Sequence, residues 1–254
     1  MLALAFDTAT DACTVAIGTE DKLYGELTMY APRAHMERLI PMVDYLLKQS
    51  DFSIGDIRGL TVGLGPGSFT GVRIGVTTAK ILAQALNLPL VGISTLDCLA
   101  YPFTFGEELV CVVLDAKRGE VYSAIYRCLG GKFDLITPYQ VMSPWDLCAK
   151  LKEYKQRVVL VGDALYPYGD LLKNSLGSSV DFAPPWLWFP KASNLIALAM
   201  DKLLGGEGKE IFQVVPIYVR LSEAEGKVGR APTCRGRAGR EGKFSPWKPL
   251  KSPE

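Results

Sequence analysis

Apolar positions along the chain fall into two kinds of run that alternate from one end to the other. Short runs rich in β-branched and aromatic residues predict strands near 2–8, 12–19, 23–30, 59–64 and 89–93, and again near 108–114, 120–127, 132–137 and 157–162. Between them apolar residues return every third or fourth position, which predicts helices near 35–49, 71–86, 143–153, 166–175 and 192–204. In the first of these, Met36, Leu39, Ile40, Val43, Leu46 and Leu47 make one face, and Glu37, Arg38, Asp44 and Lys48 make the other. Strands and helices alternating in this way predict α/β layers.

One pattern occurs twice. Asp7 to Ile17 and Asp115 to Ile125 each follow an apolar strand, open on Asp, pass through a polar turn and close in Ala-Ile at the same offset. Each reads as a β-hairpin, and one copy per half points to a duplicated, two-lobe chain with lobes at 1–100 and 101–225.

Between the strand at 59–64 and the helix at 71–86 lies GLGPGSFTGVRIG, Gly63 to Gly75. Missing Cβ atoms and one fixed proline φ allow a tight loop that another backbone can approach. A strand, a Gly-rich turn and a helix N-terminus form the usual frame for a phosphate, yet the spacing matches no phosphate signature. The loop ends in Gly71-Val72-Arg73 rather than Gly-Lys-Ser/Thr, and Gly71 falls one residue too late for GxGxxG. Pro66 stands where a GxSxG elbow around Ser68 needs glycine. Further along, Gly71, Gly75, Ala79 and Ala83 form a small-residue stripe at every fourth position. Spacing leaves open whether that stripe lies on the chain's own sheet or meets a partner helix.

Composition narrows the chemistry. The 254 residues carry six cysteines without a CxxC pair, three of them inside apolar strand-like runs, which reads as buried reduced thiols. A single histidine, His35, excludes HExxH and HxxxH metal signatures. No apolar stretch approaches the roughly 20 residues of a membrane helix, and no N-terminal signal is visible, so a soluble protein is expected. The near-neutral net charge of +1 hides an asymmetry: residues 226–254 hold eight Lys/Arg against Glu241 and Glu254, leaving the remainder acidic. This Gly-, Arg- and Pro-rich segment reads as a disordered basic tail.

The strings FDTAT (Phe6 to Thr10), RAHMERLIPMVDYLL (Arg33 to Leu47) and GPGSFTGVRIG (Gly65 to Gly75) resemble the bacterial TsaB (YeaZ) family of tRNA threonylcarbamoyladenosine biosynthesis proteins, from Met1 to about Glu225. The resemblance implies a duplicated two-lobe, actin-like ATPase (ribonuclease-H-like) fold. It also implies a cytoplasmic, noncatalytic subunit that binds the catalytic paralogue TsaD, with TsaE in a larger assembly. It further implies a homodimer in isolation, tRNA reached through the complex, and no membrane association.

On the resemblance, the partner or dimer interface takes Arg33, His35, Met36, Glu37, Leu39 and Ile40 from the first helix. From the loop and the helix after it come Gly67, Ser68, Phe69, Thr70, Gly71, Arg73, Gly75 and Ala79. Met36 departs from the small polar residue expected there. Asp7, Thr8, Thr10 and Asp115 mark a vestigial nucleotide cleft. Its first turn has Ala9 where the fold's usual glycine stands, and its adenosine-loop candidate, Val161 to Ala164, has one glycine. No catalytic residue, metal or cofactor is expected, with ATP and Mg²⁺ confined to the complex. Leu39 occupies the place of the second histidine of the paralogue's metal pair. The rival readings are an ATP-dependent phosphotransferase using Asp7 and Asp115, a peptidase, and an RNA-binding protein acting through its tail.

Overall fold

A computed structural model describes residues 1–208 and 210–220, which lie in one compact unit, Met1–Arg220. The basic segment 226–254 falls outside the described residues. The first sheet comprises β1 (Ala3–Asp7), β2 (Ala12–Gly18), β3 (Leu23–Tyr30), β4 (Gly59–Gly63) and β5 (Leu90–Ile93), in the order β3-β2-β1-β4-β5. The second comprises β6 (Leu109–Asp115), β7 (Val121–Leu129), β8 (Lys132–Leu135), β10 (Val158–Val161) and β11 (Val180–Phe182), with β9 (Gln140–Met142) pairing beside β7. Read from its other edge, the second order is β8-β7-β6-β10-β11, the same arrangement shifted along the chain. The first two connections are antiparallel and the last two parallel in both sheets. The duplication predicted from the two Asp hairpins is therefore present strand for strand.

Central strands covered on both faces have to be apolar throughout, and alternation sorts which residue meets which layer. Leu4 and Phe6 of β1 join the core under α1 (His35–Gln49) and α2 (Phe69–Leu86), while Ala3 and Ala5 join the opposite core. In β6, Leu109, Cys111 and Val113 pack with α4 (Pro144–Leu151) and α5 (Leu165–Leu176), and Val110, Val112 and Leu114 face the other way.

The inner layer is exchanged between the halves. α3 (Thr95–Ala100), which follows the first sheet, packs on the second, where the hydroxyls of Tyr126 and Tyr139 both donate to Asp97 Oδ1 at 2.8 Å. α6 (Ala192–Leu204), which follows the second sheet, packs on β1, β2 and β5 of the first. Sequence order had grouped 192–204 with the second lobe. Its small and aliphatic face (Ala192, Leu195, Ile196, Ala199) fits Ala3, Ala5 and Ala16 instead, because alanines on a sheet let a helix lie close.

β9 and β11, of three residues each, and α3, of under two helical turns, show no period and were not predicted. In the aromatic stretch 182–190 before α6, half-buried Trp188 packs on the second sheet's cores and its Nε1 donates to Ala183 O at 2.7 Å, while Trp186 stays exposed. Five cysteines, at 13, 98, 111, 128 and 148, are buried free thiols, and Cys234 lies outside the described residues. No helix among the described residues is long and apolar enough to cross a membrane.

Candidate functional site

The two hairpin turns sit at matching places in the two halves, and their surroundings differ. The first, Asp7–Thr10, is at most 4 % exposed. Asp7 Oδ1 accepts the Ala9 N–H at 2.6 Å and Oδ2 accepts the Thr95 hydroxyl at 2.7 Å. Burial pushes the Asp7 carboxyl up from its usual range, against the pull of these two donors.

The glycine loop lies directly on this turn. Ser68 N–H donates to Ala9 O at 2.7 Å, and Thr8 Oγ1 donates to Gly71 O at 2.7 Å. A Cβ at Gly67 would stand 2.2 Å from Ala9 O, and one at Gly71 would stand 2.1 Å from Thr8 O, so only glycine permits the contact. Ser68 caps α2 by accepting the Gly71 N–H at 3.2 Å. The Ala9 N–H and C=O are thus spent within the chain, and the turn does not fit a nucleotide phosphate.

The second turn is open. Lys117, Arg118 and Gly119 stand exposed with φ of 59°, 59° and 80°. Asp115 accepts the Lys117 N–H at 2.8 Å and pairs with its ammonium at 2.9 Å, and that ammonium lies 4.0 Å from Asp11 in the first hairpin. Asp163, after β10, accepts the Asp115 N–H at 2.9 Å. Its removal from water, reinforced by the charges of Asp115 and Asp11, pushes its carboxyl up to about 7, although the Asp115 N–H and Lys117 oppose this. Gly162 has φ +130°, and a Cβ there would meet Val113 O at 2.0 Å, so the lone glycine of the adenosine-loop candidate serves strand packing. Glu120 pairs with Arg220, whose Nη1 also donates to Ala116 O at 3.2 Å.

The third place of interest is the pair α1 and α2. The small-residue stripe is interior: Gly71, Gly75, Ala79 and Ala83 are buried, and a Cβ on Gly75 would lie 2.5 Å from Thr8 Oγ1. Of the residues expected at an interface, Gly71, Gly75, Ala79, Leu39 and His35 therefore belong to the chain's own core, and Gly67 packs on the first turn. Arg33, Met36, Glu37, Ile40, Ser68, Phe69, Thr70 and Arg73 are exposed. His35 is 5 % exposed, and its Nδ1 has no hydrogen-bond partner. Burial holds its pKa down, against the Asp11 charge and the Thr10 backbone acceptor. No group of three or more His, Cys, Asp or Glu among the described residues is placed to hold a metal ion.

Sequence reading missed Thr95, Tyr218 and Arg220, which reach the turns and α2 from 88, 145 and 104 positions away. No local pattern marks them.

Residues 23–228 match the family model described as TsaD, tRNA N6-adenosine threonylcarbamoyltransferase. The tRNA threonylcarbamoyladenosine biosynthesis protein TsaB of Bacillus subtilis (strain 168) is 33 % identical over 227 residues, covering 89 % of this chain and 97 % of that protein. The chain belongs to the TsaB family. The TsaB of Escherichia coli (strain K12) is likewise 33 % identical, over 88 % of this chain and 96 % of the relative. The solved structure of YeaZ from Pseudomonas aeruginosa superposes with a TM-score of 0.70 at 30 % identity, covering 85 % of this chain and 99 % of that one. The activator of 2-hydroxyisocaproyl-CoA dehydratase from Clostridium difficile, solved with bound ADPNP, gives a TM-score of 0.50 at 12 % identity over 81 % and 97 % of the chains, a likeness of fold alone. The TsaB-family chain described here has the actin-like ATPase fold.

Proposed function

We propose that this chain is a noncatalytic, cytoplasmic subunit of the machinery that forms threonylcarbamoyladenosine beside the anticodon of tRNAs reading codons that start with A. It acts by binding TsaD. The names of its relatives support the pathway. The observation that carries the noncatalytic reading is the first turn, where the fold's phosphate cradle would be and where Ala9 and Thr8 are instead packed under Gly67 and Gly71. On this reading the chain takes no nucleotide or metal of its own.

The outward face of α1 and α2 supplies the binding surface. Met36 is 74 % exposed, Ile40 50 % and Ile81 60 %, a concentration of apolar area that water disfavours and a partner would cover. The same face serves a homodimer when TsaD is absent, and tRNA and TsaE join through the complex.

Reconstitution tests this reading. TsaD, TsaE, a threonylcarbamoyl donor and tRNA are assayed with and without this chain. The expected result is no transfer by the chain alone and a large gain when it joins TsaD, with light scattering reporting the mixed complex. Transfer by the chain alone, TsaD activity indifferent to it, or calorimetric ATP binding by the isolated chain would overturn the reading.

A further inference from the structure

Arg73 is held unlike an ordinary surface arginine. It lies one turn after Phe69 on the outward side of α2, and its guanidinium carbon is 3.6 Å from the Phe69 ring centroid. The Tyr218 ring lies 5.9 Å away beside Phe69, on the same side of the guanidinium, and its hydroxyl accepts from Arg73 Nε at 3.0 Å. The two rings are 5.5 Å apart. Cation–π contact together with a committed Nε fixes the plane of the guanidinium before any partner arrives. Tyr218 is itself held in place, because its segment is anchored on the same half by Ile217 N–H donating to Leu64 O at 2.8 Å and by Lys80 Nζ donating to Phe212 O at 3.4 Å.

Among the described residues no carboxylate is paired with Arg73. Its two terminal nitrogens remain side by side, in the fork that matches a carboxylate. Around it the outward face carries Arg33 and Arg38 as well, against Glu37 and an Asp44 already paired with Lys48 at 2.7 Å. That face is thus positive although residues 1–225 carry 20 Lys/Arg against 25 Asp/Glu, and exposed Phe69, Ile81, Met36 and Ile40 give it the apolar surround of a protein interface rather than of a phosphate track.

We infer that Arg73, stacked on Phe69 and held through its Nε by the Tyr218 hydroxyl, receives a carboxylate from the protein partner of the α1–α2 face. This deepens the proposed TsaD-binding role and rests on it. That hold removes much of the side-chain entropy that a free arginine loses on binding, and burial among apolar neighbours strengthens the charge-assisted pair. Arg73 is then the polar centre of the surface, and Tyr218, from the far end of the described chain, is its positioning residue.

The test is calorimetry of the full chain with its cognate TsaD at two salt concentrations, with melting temperatures recorded for every variant. Arg73→Gln is expected to weaken binding about 30-fold or more and to flatten its salt dependence, with no change in melting temperature. Arg73→Lys should recover only part of the loss, because charge without the planar fork is insufficient. Tyr218→Leu should weaken binding by less than Arg73→Gln, and Lys132→Gln, on the edge strand of the other half, should change nothing.

If wild type binds TsaD and Arg73→Gln binds within about threefold of it, a change worth under a kcal/mol, the inference falls while the TsaD-binding role stands. If only tRNA retention or only self-association is lost, the ligand is a phosphate or a second copy, and the inference is again overturned. If wild type forms no complex with TsaD, both readings fall.

Discussion

The two halves share one strand order, yet the turn after the first strand is sealed in one and open in the other. In the first half five residues, Leu64 to Ser68, separate β4 from α2, and the loop folds over Thr8 and Ala9. In the second half three residues, Gly162 to Ala164, separate β10 from α5, and the connection delivers only the Asp163 carboxylate to Asp115 N–H. The scaffold is therefore duplicated while the chemistry is not. A two-residue difference in one connection decides whether a turn is lining or core, which is how a fold keeps its layers and changes its use.

That contrast can be broken most directly at its glycines. Gly71→Ala puts a methyl 2.1 Å from a carbonyl oxygen that has no slack, and is expected to cost about 3 kcal/mol or to prevent folding. In the open turn, Gly119→Ala meets nothing within 4 Å and carries only the strain of φ +80°, about 1 kcal/mol. Denaturant unfolding of the pair measures both, and equal costs would dissolve the distinction.

The aspartates sharpen it next. Asp7→Ala strands the Thr95 hydroxyl and the Ala9 N–H in the core, an expected loss of about 2 kcal/mol. Asp115→Ala, whose partner Lys117 is largely in solvent, should cost under about 1 kcal/mol.

A pH dependence separates the third aspartate from both. An unfolded aspartate releases its proton near 3.8, whereas folded Asp163 holds its own to about 7. Between those values the folded chain carries the extra proton, so stability falls as pH rises and levels off above about 7. Asp163→Asn keeps an acceptor for Asp115 N–H and removes that slope. Its melting temperature should exceed wild type by about 10 °C at pH 8 and match it near pH 4, and a constant offset across the range would assign the effect to something other than titration.

The layers were legible because central strands buried on both faces cannot hide their apolar runs, and Asp7 and Asp115 stood at equivalent strand ends. The direction of the stripe 71/75/79/83 was not legible. Helical spacing gives a face and says nothing of its neighbour, and that neighbour proved to be Thr8, 63 positions from Gly71. The glycine loop announced a close approach without announcing to what, for the same reason. The exchange of α3 and α6 was equally hidden, since an apolar helix face fits either sheet until the alanines opposite it are known. Phe69 and Arg73 stood only among the interface residues implied by the resemblance, and the contact that makes Arg73 distinctive depends on Tyr218, which no local period connects to it.

The last stretch before Arg220 has a mechanical consequence. Ile217 is fastened to Leu64 in one half, and Arg220 to Ala116 and Glu120 in the other. Three residues of fully extended backbone reach only about 10 Å. The two halves are therefore on a short leash: parting Leu64 from Ala116 by more than this segment and the Arg220 side chain can span would have to break one anchorage first.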